Sequence, residues 1–95
     1  GSRNITVNCV APGFIDTEAM AVVPRDSPVF RSYVDNTPLG DIGHAEDVAA
    51  LVRFLLGPEA RWITGETIRI DGGNHLRRGP DYGSFVALGL PTDGR

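Results

Sequence analysis

Two short runs rich in β-branched residues, separated by one amphipathic helix, set the tightest limit on how this chain folds. In the first run, residues 4–10, Ile5, Val7 and Cys9 alternate with Thr6, Asn8 and Val10, and Pro12-Gly13 closes it. The helix spans about residues 45–56, where Val48, Leu51, Val52 and Leu55 follow the spacing of a single stripe facing a core. Glu46 and Asp47 fall in its first turn, where negative charge suits the helix dipole, and Gly57-Pro58 stops it. The second run, about residues 66–71, puts Ile68 and Ile70 on one face and breaks at Asp71-Gly72-Gly73. Parallel strands joined by a helix demand a right-handed crossover. Apolar character on both faces of the first run predicts a strand covered on both sides, which leaves Asn8 in need of a buried partner. Two parallel strands do not make a stable sheet alone, so something else must cover them.

The corner after the first run is the place to look for chemistry. In open α/β sheets ligands bind outside the carboxyl ends of the strands, where Pro12-Gly13-Phe14-Ile15-Asp16-Thr17 lies. Taken alone, Pro12-Gly13 reads as an ordinary turn, and Thr17 as a cap at the start of the next segment. The excursion from Thr17 to about Gly40 contains one short helix. Ser27-Pro28 is a good start for it, and Val29, Phe30, Tyr33 and Val34 share one side. A long connection at such a corner is functional or disordered, and here it reads as a lid.

Composition narrows the classes of function. Ninety-five residues suit one small domain, and a net charge of -3 opposes binding to nucleic acid. All nine basic residues are Arg, so the sequence holds no Lys. Cys9 is the only cysteine, which excludes an internal disulfide, and it reads as a small buried apolar residue. No apolar run suggests a membrane span and no targeting pattern opens the chain, so the expected location is cytoplasmic. His44 and His75 are too far apart to suggest a metal pair, and His44 is expected at the helix start. Trp62 and Phe54 are expected in the core, Arg77-Arg78 on the solvated surface. Beyond Gly79 the Gly and Pro content argues against regular structure, although Phe85-Val86-Ala87-Leu88 forms an apolar patch available for docking.

The segment from Arg3 through Asn8-Cys9-Val10-Ala11-Pro12-Gly13 to Thr17 resembles the penultimate strand and following loop of short-chain dehydrogenases/reductases. Within that family it is similar to 3-oxoacyl-(acyl-carrier-protein) reductases. Glu46-Asp47-Val48-Ala49 resembles the family's helix start, and Ile63-Thr64-Gly65 through Asp71-Gly72-Gly73 its last strand. The resemblance covers about residues 3–74. It implies an α/β fold: the C-terminal strand–lid–helix–strand part of a Rossmann-type doubly wound parallel sheet, incomplete on its own. Residues 1–74 would be the C-terminal part of an NAD(P)-binding domain, with 18–40 as substrate lid and 75–95 as tail.

Carried over position by position, Pro12 and Gly13 would pack on the nicotinamide ring of NAD or NADP. The main chain of Ile15 would bond the ring's carboxamide, with the Thr17 hydroxyl nearby. Met20, Val22 and Phe30 would be the lid's apolar candidates. The whole protein would interconvert a small-molecule secondary alcohol and a ketone, with a 3-oxoacyl thioester among the candidates, and would form a homo-oligomer, a tetramer or dimer.

Two of the family's devices are absent from these residues. No Gly-rich phosphate loop occurs, and the family's Tyr–Lys pair, four residues apart, has no counterpart: Tyr33 is followed at that spacing by Thr37, Tyr82 by Val86. In the family that Tyr is a general acid/base whose pKa the Lys lowers. The chain alone is therefore expected to be inactive, completed by a missing N-terminal part of the same fold. The alternative is a non-catalytic oligomerisation or binding module derived from that fold. Smaller departures are Asp41 where relatives carry Arg, Ala45 where they carry Pro, and a Thr17–Met20 spacing one residue longer than usual. In the family Asp71 belongs to a structural turn.

Overall fold

The computed structural model describes residues 1–79 and 81–83. Strand β1, Cys9–Pro12, pairs in parallel with β4, Thr67–Ile70, in the register Cys9 to Thr67 through Pro12 to Ile70. Between them lie β2 (Ile15–Asp16), a 3-10 turn at Glu18–Val22, helix α1 (Pro28–Asp35), β3 (Gly43–His44) and helix α2 (Ala45–Leu56). Strands β2 and β3 form a second parallel pair, with Ile15 opposite Gly43 and Asp16 opposite His44. A turn at Pro58–Ala60 leads from α2 back to β4, and another, Asn74–Leu76, comes after the sheet.

The first strand is shorter than the sequence run that predicts it. Its ladder begins at Cys9, because the chain opposite turns away at Gly65, whose φ of 75° is left-handed. Upstream, Val7 keeps two bonds: its N–H donates to Thr64 Oγ1 at 3.1 Å and its carbonyl accepts from Gly65 at 2.8 Å. Asn8 finds the partners its position requires. Its side-chain amide donates to the Ile63 carbonyl at 3.0 Å, and its Oδ1 accepts from the Glu66 N–H at 3.1 Å. One side chain thus clamps both sides of the turn that delivers β4.

The sheet is covered on one face, not two. Val10, Ile68 and Ile70 are half-buried where α2 packs on β1, whereas Cys9, Thr67 and Arg69 on the other face are exposed. Ala11 on that face is half-buried, but Cys9 itself is exposed, which corrects the expectation of a buried Cys9. Trp62 and Phe54 also lie outside the core. The Pro58–Ala60 turn buries Ala60 and leaves Trp62 87% exposed beneath the Arg61 guanidinium, 5.3 Å from the ring centroid. Phe54 at 42% and Val52 at 39% are both exposed, so of the expected stripe Val48, Leu51 and Leu55 are half-buried and Val52 is not part of the core.

Apart from Ala60, the best-buried residues gather around α1 and the segment after it: Val29 at 2% exposure, Tyr33, Thr37 and Ile42. Ser27 caps α1, its hydroxyl accepting from the Phe30 N–H at 3.2 Å, and Pro28 sits next at the first helical position. His44 opens α2, with its N–H donating to Asp47 Oδ2 at 2.8 Å. Replacing Asn8 with Ala should leave the Glu66 N–H and the Ile63 carbonyl without partners. Because water can reach the exposed Glu66 N–H, a loss of about 0.5–1.5 kcal/mol is expected, read as a lower urea midpoint at unchanged denaturant slope.

Candidate functional site

The corner after β1 is fixed by a contact with no room for a side chain. A Cβ built on Gly13 would lie 2.6 Å from Asp71 Cβ and 2.6 Å from the Tyr33 hydroxyl. The Gly13 N–H donates to the Ile70 carbonyl at 3.2 Å, which carries the sheet pairing one residue past β1. Glycine is therefore demanded here by packing within the chain, whatever else approaches from outside. Beside it the Phe14 N–H donates to the Tyr33 hydroxyl at 2.5 Å. The Phe14 ring meets Tyr33 at 5.0 Å between centroids and Phe30 edge-on at 5.7 Å.

The far side of this contact is the Asp71-Gly72-Gly73 turn. Asp71 Oδ1 accepts from the Gly73 N–H at 3.0 Å, Oδ2 accepts from the His75 N–H at 3.1 Å, and the His75 ring nitrogen lies 3.0 Å away. Burial works to raise the Asp71 pKa, but the Gly73 and His75 bonds outweigh it and hold the carboxyl below its ordinary range. Gly72 and Gly73 both take left-handed φ values, and a Cβ on either would strike Thr37 or Pro38. The Leu39 N–H donates to the Gly72 carbonyl, the Thr37 hydroxyl donates to the Tyr33 carbonyl, and Asn74 reaches Thr37 Oγ1. The turn after β4 therefore locks the end of segment 18–40 in place. Burial, first of all, raises the Tyr33 pKa, with Asp71 and Tyr82 pushing the same way against the Phe14 N–H bond. Tyr33 thus stays a neutral phenol engaged in structure.

Pro12, Gly13, Ile15, Thr17 and Met20 line one side of an open groove of about 720 Å3. The α2 flank running through Ala45, Ala49, Val52 and Leu56 lines the other. The β2–β3 pairing decides what Ile15 offers there. The Gly43 N–H donates to the Phe14 carbonyl at 2.9 Å, and in a parallel pair this leaves the amide and carbonyl of Ile15 directed away from β3. Thr17 is exposed, and its hydroxyl caps nothing in the turn it opens. Of the remaining residues singled out in the sequence, Val22 is 74% exposed. Phe30 packs on Phe14, with the Arg25 guanidinium 5.6 Å from its centroid.

Some features of this site leave no local trace in the sequence. Phe14 and the Tyr33 hydroxyl meet across 19 residues, and Asp71 meets Gly13 across the sheet. The α2 flank, by contrast, is legible as a second stripe four, seven and eleven residues on from Ala45. Among the described residues no helix is long and apolar enough to cross a membrane.

A family model described as enoyl-(acyl carrier protein) reductase matches residues 1–75. The chain belongs to the short-chain dehydrogenase/reductase family. It is 41% identical over 75 residues to a 3-oxoacyl-(acyl-carrier-protein) reductase FabG of Vibrio harveyi, covering 79% of this chain and 30% of that protein. A solved short-chain type dehydrogenase/reductase from Mycobacterium ulcerans superposes with a TM-score of 0.87 at 38% identity, covering 93% of this chain and 32% of that one. A putative 2-deoxy-D-gluconate 3-dehydrogenase from Agrobacterium tumefaciens, solved with bound NADP, gives a TM-score of 0.76 at 32% identity, over 80% and 31% of the two chains. The chain thus spans just under a third of the length of these family members. Its strands and helices are part of a Rossmann-type α/β sheet, incomplete within these residues.

The contacts behind the corner have two measurable consequences. Because the folded pKa of Asp71 lies below its unfolded value of about 3.9, its contribution is whole above about pH 5 and disappears as pH falls through the folded pKa. Asp71→Asn should flatten the acid limb of a stability–pH curve. Tyr33→Phe should strand the Phe14 N–H and lower stability by about 1–3 kcal/mol in urea unfolding.

Proposed function

We propose that these residues are the C-terminal portion of an NAD(P)-dependent short-chain oxidoreductase that interconverts a secondary alcohol and a ketone. The observation that carries the reading is the groove wall Pro12–Thr17, where the backbone groups of Ile15, directed away from β3, are set between an exposed proline ring and an exposed hydroxyl. The residues present fit a nicotinamide. Pro12 and the backbone of Gly13 would hold the flat ring, the main-chain donor and acceptor of Ile15 would bond its carboxamide, and the Thr17 hydroxyl would stand nearby. A nicotinamide bound there supplies hydride transfer. The chain's own residues orient the ring, and the apolar groove around it excludes water. Segment 18–40 acts as substrate lid, with Met20 the member that faces the groove. The relatives that carry FabG names act as analogy for a 3-oxoacyl thioester as one candidate substrate.

Alone, the chain lacks the Tyr–Lys pair that handles the proton accompanying hydride transfer. It holds no Lys, Tyr33 is followed four residues on by Thr37, and burial raises the Tyr33 pKa rather than lowering it. We therefore assign the proton relay and phosphate loop to the missing N-terminal part and predict these 95 residues to be inactive by themselves. The complete protein is read as a cytoplasmic homo-oligomer, dimer or tetramer.

A second reading, a non-catalytic assembly module, is favoured by one observation: Val7 at 73% exposure and Leu56 at 83% sit on surfaces that nothing among the described residues covers. Concentration decides between them. A module melts cooperatively as a defined oligomer, whereas a detached portion aggregates or binds hydrophobic dyes.

The decisive measurement is the intact mass in the native source, expected well above the 10.2 kDa of these residues. A native mass equal to it would overturn the enzyme reading. In the longer protein, Thr17→Ala should weaken nicotinamide cofactor binding about five- to tenfold, the loss of about one hydrogen bond. Its melting temperature should not change, because the hydroxyl caps nothing. Unchanged affinity would remove Thr17 from the site.

A further inference from the structure

Beside the corner, between Phe14 and Val29, lies a second cavity of about 290 Å3, at the small end of ligand pockets. It shares Gly13 and Met20 with the groove, so the two spaces meet at the same corner. Val23 and Val29 supply apolar lining, Asn74 a polar edge, and Tyr82 closes one side. Tyr82 reaches this position because the chain after the sheet folds back across α1. The Asp81 N–H donates to Ser32 Oγ at 2.8 Å, a contact between residues 49 apart in sequence. The tyrosine is 54% exposed, so it stands as a wall between the cavity and solvent.

We infer that this cavity receives the arm of the substrate beyond its reacting carbonyl, and that Tyr82, anchored through Ser32, limits the length of that arm. The inference rests on the oxidoreductase reading and narrows its substrate. Among the described residues no charged side chain lines the cavity, so a carboxylate or phosphate entering it would lose hydration without gaining a partner from them. The substrate end that fits is compact, neutral and mostly apolar. Tyr82 is a specificity-determining residue, and Ser32 is a positioning residue that acts through it. The Tyr33 hydroxyl on the same wall accepts from the Phe14 N–H and keeps its own O–H, a single neutral donor on an otherwise mostly apolar lining.

The test uses the complete oxidoreductase and a series of straight-chain methyl ketones from 2-butanone to 2-dodecanone, with cofactor binding measured separately. The wild type should lose kcat/KM beyond a short chain length. Tyr82→Ala should raise the ratio of kcat/KM for 2-decanone to that for 2-butanone about tenfold or more, with cofactor Kd unchanged. Tyr82→Phe should keep the wild-type profile. Ser32→Ala should shift it in the same direction as Tyr82→Ala, through loss of the anchor. If Tyr82→Ala and Ser32→Ala bind cofactor and turn over ketones with the wild-type profile, the inference fails while the oxidoreductase reading stands. If the wild type binds no nicotinamide cofactor and reduces no ketone, the oxidoreductase reading fails and takes the inference with it.

Discussion

The structure depends on one close approach, where Gly13 lies against Asp71 and the Tyr33 hydroxyl. Three segments far apart in sequence meet there: the end of β1, the end of β4 and the inner face of α1. Interiors tolerate such contacts only when each neighbour is held, and here each is. Asp71 is fixed by the Gly73 and His75 amides, Tyr33 by burial and by the Phe14 N–H, and Gly13 by the Ile70 carbonyl. The corner is rigid because its back is filled, and a rigid corner can present backbone groups on its front.

That arrangement divides the labour between two sides of one loop. On the inner side, Phe14 points into an aromatic cluster with Tyr33 and Phe30. On the outer side, Pro12, Ile15 and Thr17 face the groove. The short β2–β3 pair enforces this division by using the Phe14 carbonyl and sparing the groups of Ile15. Neighbouring residues of one short loop thus either pack inward or line the groove.

The other half of the molecule has the opposite character. Helix α2 lies on the sheet by one stripe and shows a second apolar flank to the groove, and on the far face of the strand pair Cys9, Thr67 and Arg69 are exposed. This accords with a chain that spans just under a third of its relatives' length, since a doubly wound sheet covers both faces of its central strands. It also explains why Cys9 and Trp62, residue types that favour interiors, are exposed here. Both are apolar by type, but burial depends on what lies opposite.

The sequence by itself determined β1, α1, α2 and β4 and their order, but not the short β2 and β3 strands. The period of Val48, Leu51, Val52 and Leu55 specified α2, Ser27-Pro28 specified the start of α1, and Pro12-Gly13 and Asp71-Gly72-Gly73 marked where the strands stop. These are local effects, written in spacing and in residues that cap or break an element. The family was legible too, because its motifs are runs of adjacent residues. Only the tertiary structure decided why Gly13 must be glycine, what the Tyr33 hydroxyl bonds, that Asn8 clamps the turn into β4, and where Phe30 and Val22 lie. Each of those answers is a contact, or the lack of one, between residues distant in the chain, and a linear pattern carries no record of which distant groups will meet.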